Sequence, residues 1–466
     1  MGMKKLTGAL IASVVVLCVA VPSLFGQDEV LSGTVVTPTK VIPNGWIVIR
    51  GGRIESVRER RPVGNTLGTL PLIKVDGIIF PGFIDLHNHP MYDVIPRWHA
   101  PRIFKDRYEW RELEEYKKAV STPAGALQKK ESTFCDVDEY TEVKALMGGT
   151  TAFAGIGAMY GAAQPVPSCV VGLVRNLDWA SGFYGSGVGH ERIQNALGVT
   201  LRDMSESEAA SLRQELFQKK IDLLLVHVGE GSPDDLESSV EFYALKGRGF
   251  LGAHTAVVQG TALTADNFRQ MHAAGTALIW SPRSNLELYG VTTNVGAALQ
   301  EKVTVALAPD WSPTGSTNTL AELAYANRYS REHMNGTLTD EQLFRMGTEI
   351  PAKIARIQQF VGTIEPGRYA DLFVLRGDSA QPFTALANAK PQDVQLVLIG
   401  GVAMYGNEAL MSSFKAQVEA VDVCGEKMAL NSSSLPSGPF AEVQRRLQSD
   451  LEPYGVALAS LAECGP

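Results

Sequence analysis

The chain contains no C-x-x-C pair, and only 5 of its 466 residues are cysteine. A zinc ribbon, a thioredoxin-type site and a small disulfide scaffold are therefore excluded. Positive charge is not in excess either: 42 Lys and Arg stand against 50 Asp and Glu, for a formal net charge of −8. Phosphate contact needs a basic face, so the balance argues against a nucleic-acid partner. No G-x-G-x-x-G follows a candidate strand, which lowers a dinucleotide reading. There is no low-complexity tract, because 45 Gly and 24 Pro are scattered. Nor is there the duplicated α/β lobe of a solute-binding protein. After the N-terminal stretch no apolar run reaches transmembrane length; Ile221–Val228 is strand-length and bounded by polar residues.

What remains, with 45% hydrophobic and 20% charged residues, is an ordinary globular chain long enough for two or three domains. Its N-terminus carries an address. Lys4 and Lys5 precede the apolar run Leu10–Val21, then Pro22, Ser23 and the small Gly26. This is the layout of a cleaved secretory signal over residues 1–26. The expected mature protein is exported, periplasmic or extracellular, with no stable membrane insertion after cleavage. It keeps Cys135, Cys169, Cys424 and Cys464. An oxidising compartment permits disulfides, and four cysteines allow three pairings. Cys424 with Cys464 is the expected pair, since both lie in the C-terminal extension.

Residues 27–80 and 361–410 share a texture of short β-rich segments and glycine turns, such as Asn44-Gly45, Gly51-Gly52 and Gly400-Gly401. Two similar flanks suggest one small β domain built from both ends of the chain. Between them, residues 81–360 alternate strands and helices, the pattern of a parallel α/β fold. Strand candidates are Ile78–Leu86, Thr150–Ala154, Val170–Val174, Asp222–Val228, Gly249–Ala253, Ala277–Trp280 and Val303–Ala308, with a weak slot between Asn176 and Thr200. Eight strands would close a barrel; an open doubly wound sheet fits the same order. Ser205-x-x-Glu208 opens a helix as a capping box. The extension 411–466 has helical periodicity over Phe440–Leu451 and no chemical signal.

Four of the eight histidines stand at expected strand ends: His87, His89, His227 and His254, with Asp310 placed likewise. In an α/β barrel that end carries the active site. His87-Asn88-His89 puts two imidazoles on one side of an extended segment. Alone, such a pair is more often two polar residues in a turn, and His227 or Asp310 alone more often a core histidine or a cap. Jointly they make an N/O set for one catalytic divalent ion with an open position, which suits zinc best and also iron. Glu230, three residues after His227, is suited to moving protons beside a metal-bound water.

These residues resemble the amidohydrolase superfamily. Pro81-Gly82-Phe83-Ile84-Asp85-Leu86-His87-Asn88-His89 is similar to its first barrel strand, and Val361–Leu372 to its return into a β-sandwich domain. His227-x-x-Glu230, Ser281-Pro282-Arg283-Ser284-Asn285-Leu286 and Asp310 resemble the branch of cytosine, guanine and adenosylhomocysteine deaminases and triazine hydrolases. The resemblance implies a (β/α)8 TIM barrel with a small β-sandwich domain. It further implies one metal held by His87, His89, His227 and Asp310, with His254 on the bound water. Catalysis would fall to Glu230, His254 and Asp310, and substrate contact to Arg175, Asn176, Arg283, Asn285 and Tyr289. The expected reaction is hydrolysis of a non-peptide C–N bond in a small cyclic or heteroaromatic compound, with a linear amide or dipeptide as the alternative and a metal-free binding relative as a remoter one. Beyond the small-molecule substrate, the only partner left open is a second copy of the chain. Tyr92–Pro123, with Arg107-Tyr108-Glu109-Trp110-Arg111, matches no substrate motif of the characterised members.

Overall fold

The computed structural model describes residues 28–61, 70–156, 169, 172–178, 193–196, 201 and 204–464. The expected signal at 1–26 lies outside them. β-branched and aromatic residues at both ends of the chain build one mixed sheet. Its strands are β1 (Glu29–Val36), β2 (Val41–Arg50), β3 (Arg53–Arg58), β4 (Leu72–Pro81), β13 (Leu372–Leu375), β14 (Val394–Ile399), β15 (Val402–Asn407), β16 (Val418–Val423) and β17 (Glu426–Asn431). The order is β16-β17-β15-β14-β13-β4-β1-β2-β3, antiparallel except for β1 beside β4. Two-residue alternation splits its side chains. Ile79, Val374 and Leu398 join a core internal to the sheet, while Ile78, Phe80 and Phe373 pack towards the central region. β16 and β17 come from beyond residue 410, so the extension contributes to the β domain rather than standing apart from it.

Eight short strands lie between these ends: β5 (Phe83–Asp85), β6 (Thr150–Phe153), β7 (Arg175–Asn176), β8 (Ile193–Ala196), β9 (Leu223–Val228), β10 (Thr255–Gln259), β11 (Ala277–Trp280) and β12 (Val305–Leu307). β5, β6 and β7 pair in parallel, as do β8 to β12 in sequence order. β12 returns to β5 through Asp310, whose amide donates to the His87 carbonyl at 3.1 Å and whose carbonyl accepts from the His89 amide at 3.0 Å. Alternation again sorts the faces. Leu223, Leu225, Ala256, Val258, Ala306 and Ala308 form an inner core, and Leu224, Val226, Val257 and Leu307 face the helices. Continuing the inner series by two residues reaches His227 and Asp310.

Two expected strands are displaced: Val170–Val174 falls partly outside the described residues, and the strand there is Arg175–Asn176. Gly249–Ala253 is a turn, and the strand is Thr255–Gln259. Gly249 adopts φ 77°, a value that suits a turn and not a strand. The β-branched run begins only after His254. In the extension, the helix Phe440–Leu451 buries Phe440, Val443, Leu447 and Leu451, a one-sided spacing, with Phe440 stacked on Tyr140 of the helix Glu131–Met147. Cys424 is bonded to Cys464, and Cys135 to Cys169.

Candidate active site

His227 ends the inner face of β9, and the chain then bends at Gly229, φ 65°. That bend brings Glu230 round to the same side, with its Oε2 4.0 Å from His227 Nε2. His87 and His89 arrive from the end of β5 and Asp310 from the end of β12. His87 Nε2 and His89 Nε2 are 3.2 Å apart, and each is 3.2 Å from Asp310 Oδ1. One ligand atom from each of His87, His89, His227 and Asp310 falls within 4.8 Å of all the others. Ligands about 2.0–2.1 Å from a tetrahedral zinc lie about 3.3 Å from one another, so this donor set fits one divalent ion. His227 Nδ1 is buried and has no hydrogen-bond partner among the described residues, which leaves it open to an ion. Burial lowers the His87 pKa to about 4 and drives that of His227 down as well. Both rings are thus neutral at pH 7, the form that coordinates a metal.

The acid groups are held in place. Tyr289 donates its hydroxyl to Glu230 Oε1 at 2.7 Å and accepts from Trp110 Nε1 at 3.0 Å. Arg107, itself buried, lies 3.5 Å from Glu230 Oε2 and 3.3 Å from Glu241 Oε1. Burial raises the Glu230 pKa, and the Arg107 guanidinium opposes that rise. Asp310 Oδ2 accepts from Gln259 Nε2 at 2.9 Å and from the Ser284 hydroxyl. Asn285 bonds the other end of the Gln259 amide and accepts from the Thr292 hydroxyl at 3.1 Å. Gln259 and Asp310 both adopt left-handed backbone, φ 71° and 72°. For residues other than glycine such angles cost energy and cluster at functional sites.

Three expectations need correcting. His254 precedes β10, at the opposite end of the strands from the ligand group. Its Nδ1 is 2.9 Å from the Asp222 carbonyl, and its own carbonyl accepts from the Leu224 amide. It therefore cannot orient a water at the ligand group; the β10 residue that reaches this site is Gln259. Arg175 sits at the start of β7, bonding Asp371 at 2.6 and 3.0 Å and stacking on Tyr369, so it ties the central strands to the segment leading into β13 instead of contacting substrate. Arg283 points to the extension, with 2.8 Å bonds to both Glu463 oxygens. Asn176 is also occupied, accepting from the Asp178 amide at 3.0 Å. Asn285 and Tyr289 do meet the site, but through Gln259 and Glu230.

The ligand group opens into a cavity of about 590 Å³ that includes Glu230, Tyr92, Trp110, Tyr116 and Trp311. Most of these rings come from the segment that matched no motif. Its richness in aromatics and arginine was the only sign of a binding wall in the sequence. Arg107 and Gln259 were missed altogether.

The amidohydrolase family profile matches residues 78–404. The chain belongs to the amidohydrolase family. It is a metal-dependent hydrolase of carbon–nitrogen bonds. Within the family it is similar to a 5-methylthioadenosine/S-adenosylhomocysteine deaminase of Teredinibacter turnerae, at 25% identity over 64% of this chain and 71% of that protein. Its fold is similar to that of a zinc-bound adenosine deaminase from Xanthomonas campestris, with a TM-score of 0.65 and 16% identity over 92% of this chain and 98% of the other. It is also similar to a zinc complex of atrazine chlorohydrolase from Arthrobacter aurescens, with a TM-score of 0.62 and 16% identity over 83% and 99% of the two chains.

Proposed function

We propose that this amidohydrolase is an exported enzyme that hydrolyses a C–N bond, by deamination or ring opening, in a small heterocyclic compound. The observation that carries the reading is Glu230, buried beside the ligand group and facing an aromatic cavity. We further propose that the eight parallel strands close into a (β/α)8 barrel, that the nine-stranded sheet is the small sandwich domain, and that the ion is a single zinc. The zinc-bound fold neighbours and the His/His/His/Asp donor set support that choice of metal.

His87, His89, His227 and Asp310 would hold a divalent ion, which would supply a nucleophile at neutral pH by lowering the pKa of a water towards about 7. The chain's own residues do the rest. Glu230 is placed to shuttle a proton, with the Tyr289 hydroxyl on Oε1 and Arg107 3.5 Å from Oε2. Arg107 favours the ionised acid, so Glu230 first accepts a proton and then delivers it to the ring nitrogen or leaving group. Gln259 and Ser284 tie down Asp310 Oδ2, which leaves Oδ1 facing the histidines. The aromatic walls exclude water from a flat ring.

Glu230→Gln tests the reading. It keeps size and hydrogen bonding but cannot transfer a proton. With metal content unchanged, kcat on a heterocyclic amine should fall by about two decades or more. A fall of less than about tenfold would favour a linear amide, whose leaving amine can take its proton from Asp310 instead. Metal analysis of the purified protein checks the stoichiometry, and two activity-linked ions per chain would overturn the single-zinc proposal.

A further inference from the structure

Resting on this hydrolytic reading, we propose that the substrate is a planar, largely apolar molecule bearing a carboxylate, and that Arg111 binds that carboxylate. Arg111 lines the cavity that also contains His89, Glu230 and Asp310. It is half-buried and lies over the Trp110 ring, 5.3 Å from its centroid. Among the described residues it has no ion pair and no hydrogen bond. The other cations nearby are already neutralised. Arg107 is paired with Glu230 and Glu241, and Lys117 with Glu112 and Glu114. An unpaired guanidinium is unexpected in a chain of net charge −8.

The charge of Arg111 reaches Glu230, but neither acid of the cavity bonds it: Glu230 is held by Tyr289 and Arg107, and Asp310 by Gln259 and Ser284. The missing anion therefore belongs to the ligand. A planar fork of N–H donors matches a carboxylate with two parallel bonds. One guanidinium balances one negative charge, which favours a carboxylate over a phosphate dianion. The rings set the spacing. From His89 the centroid steps run 6.0 Å to Trp311 and 5.5 Å on to Trp110, over whose ring Arg111 lies. Trp110, Tyr116 and Trp311 pack on one another as one wall, so the flat apolar body lies against that wall with its acid at Arg111.

Calorimetric titration of the zinc-loaded protein with 2-naphthoate and the uncharged 2-naphthamide tests this. Naphthoate should bind the wild type roughly ten- to hundredfold more tightly than naphthamide. Arg111→Gln should erase that preference at unchanged zinc content and melting temperature. Arg111→Lys, keeping the charge without the fork, should retain part of it. If Arg111→Gln binds naphthoate as tightly as the wild type, the acid is held by the metal and the inference is overturned. Equal affinity of the two probes for the wild type overturns it as well. The hydrolytic reading fails separately. Arg111-dependent binding with no turnover of any C–N substrate would sink that reading alone, whereas turnover of neutral heterocycles that Arg111→Gln leaves unchanged would sink only the carboxylate.

Discussion

Glu322 shows how strongly single environments differ in this protein. It is buried in the helix Thr319–His333, where it accepts from the Ser316 hydroxyl and the Arg283 amide. Burial pushes its pKa from 4.5 up to about 8. Between those values the folded chain keeps a proton that the unfolded chain releases, so this group's contribution to stability declines as pH rises from about 4.5 to about 8. Glu322→Gln cannot titrate. Its melting temperature should gain on that of the wild type from about pH 5 to about pH 8, and a constant difference would refute the assignment. Residue-scale features were legible unevenly. His87-x-His89 and His227-x-x-Glu230 were readable because their members are close in sequence and extended geometry puts them together. Gln259 was not, because its reach to Asp310 depends on a left-handed backbone that breaks strand alternation. Arg107 was hidden for a different reason: its partners Glu230 and Glu241 lie more than a hundred residues away.

At the scale of elements, alternating patterns located most strands, and the failure at His254 has a definite cause. A histidine beside a short apolar run looks the same before a strand as after one. Only the glycines around Gly249 and Gly252 and the β-branched Thr255–Gln259 run distinguish the two. The extension was legible as a helix, since Phe440, Val443, Leu447 and Leu451 repeat at helical spacing, but not as a source of strands for the sheet. Its last residues are fastened by Cys424–Cys464, across a separation of 40 residues, and by the Glu463 bonds to Arg283. Replacing both cysteines by serine should cost roughly 3–4 kcal/mol in the chain-entropy view. Urea unfolding measures it, and an unchanged midpoint would mean that the other tail contacts suffice to hold it.

For the whole molecule, Arg175 is the test of how the central strands are joined to the nine-stranded sheet. Its bonds to Asp371 are nearly sealed from water, with Asp371 1% exposed, and Asp371 also accepts from the Gly400 amide at 2.7 Å. Arg175→Met strands a buried carboxylate and should cost about 3 kcal/mol, while kcat/KM stays at the wild-type value. A selective loss of kcat/KM with stability intact would return Arg175 to the substrate. The β-rich texture of both flanks pointed to strands shared between the two ends, as the nine-stranded sheet has them, but the pairing across it could not be read, because no local signal states which distant strand lies beside β4. That pairing bears on biosynthesis. β4 ends at residue 81 and its neighbour β13 begins at residue 372. At about 5–20 residues per second, a ribosome takes on the order of tens of seconds to bridge that interval. Throughout it, one edge of β4 offers unpaired amides and carbonyls to any strand it meets. The nascent chain thus carries one open sheet edge until its second flank emerges.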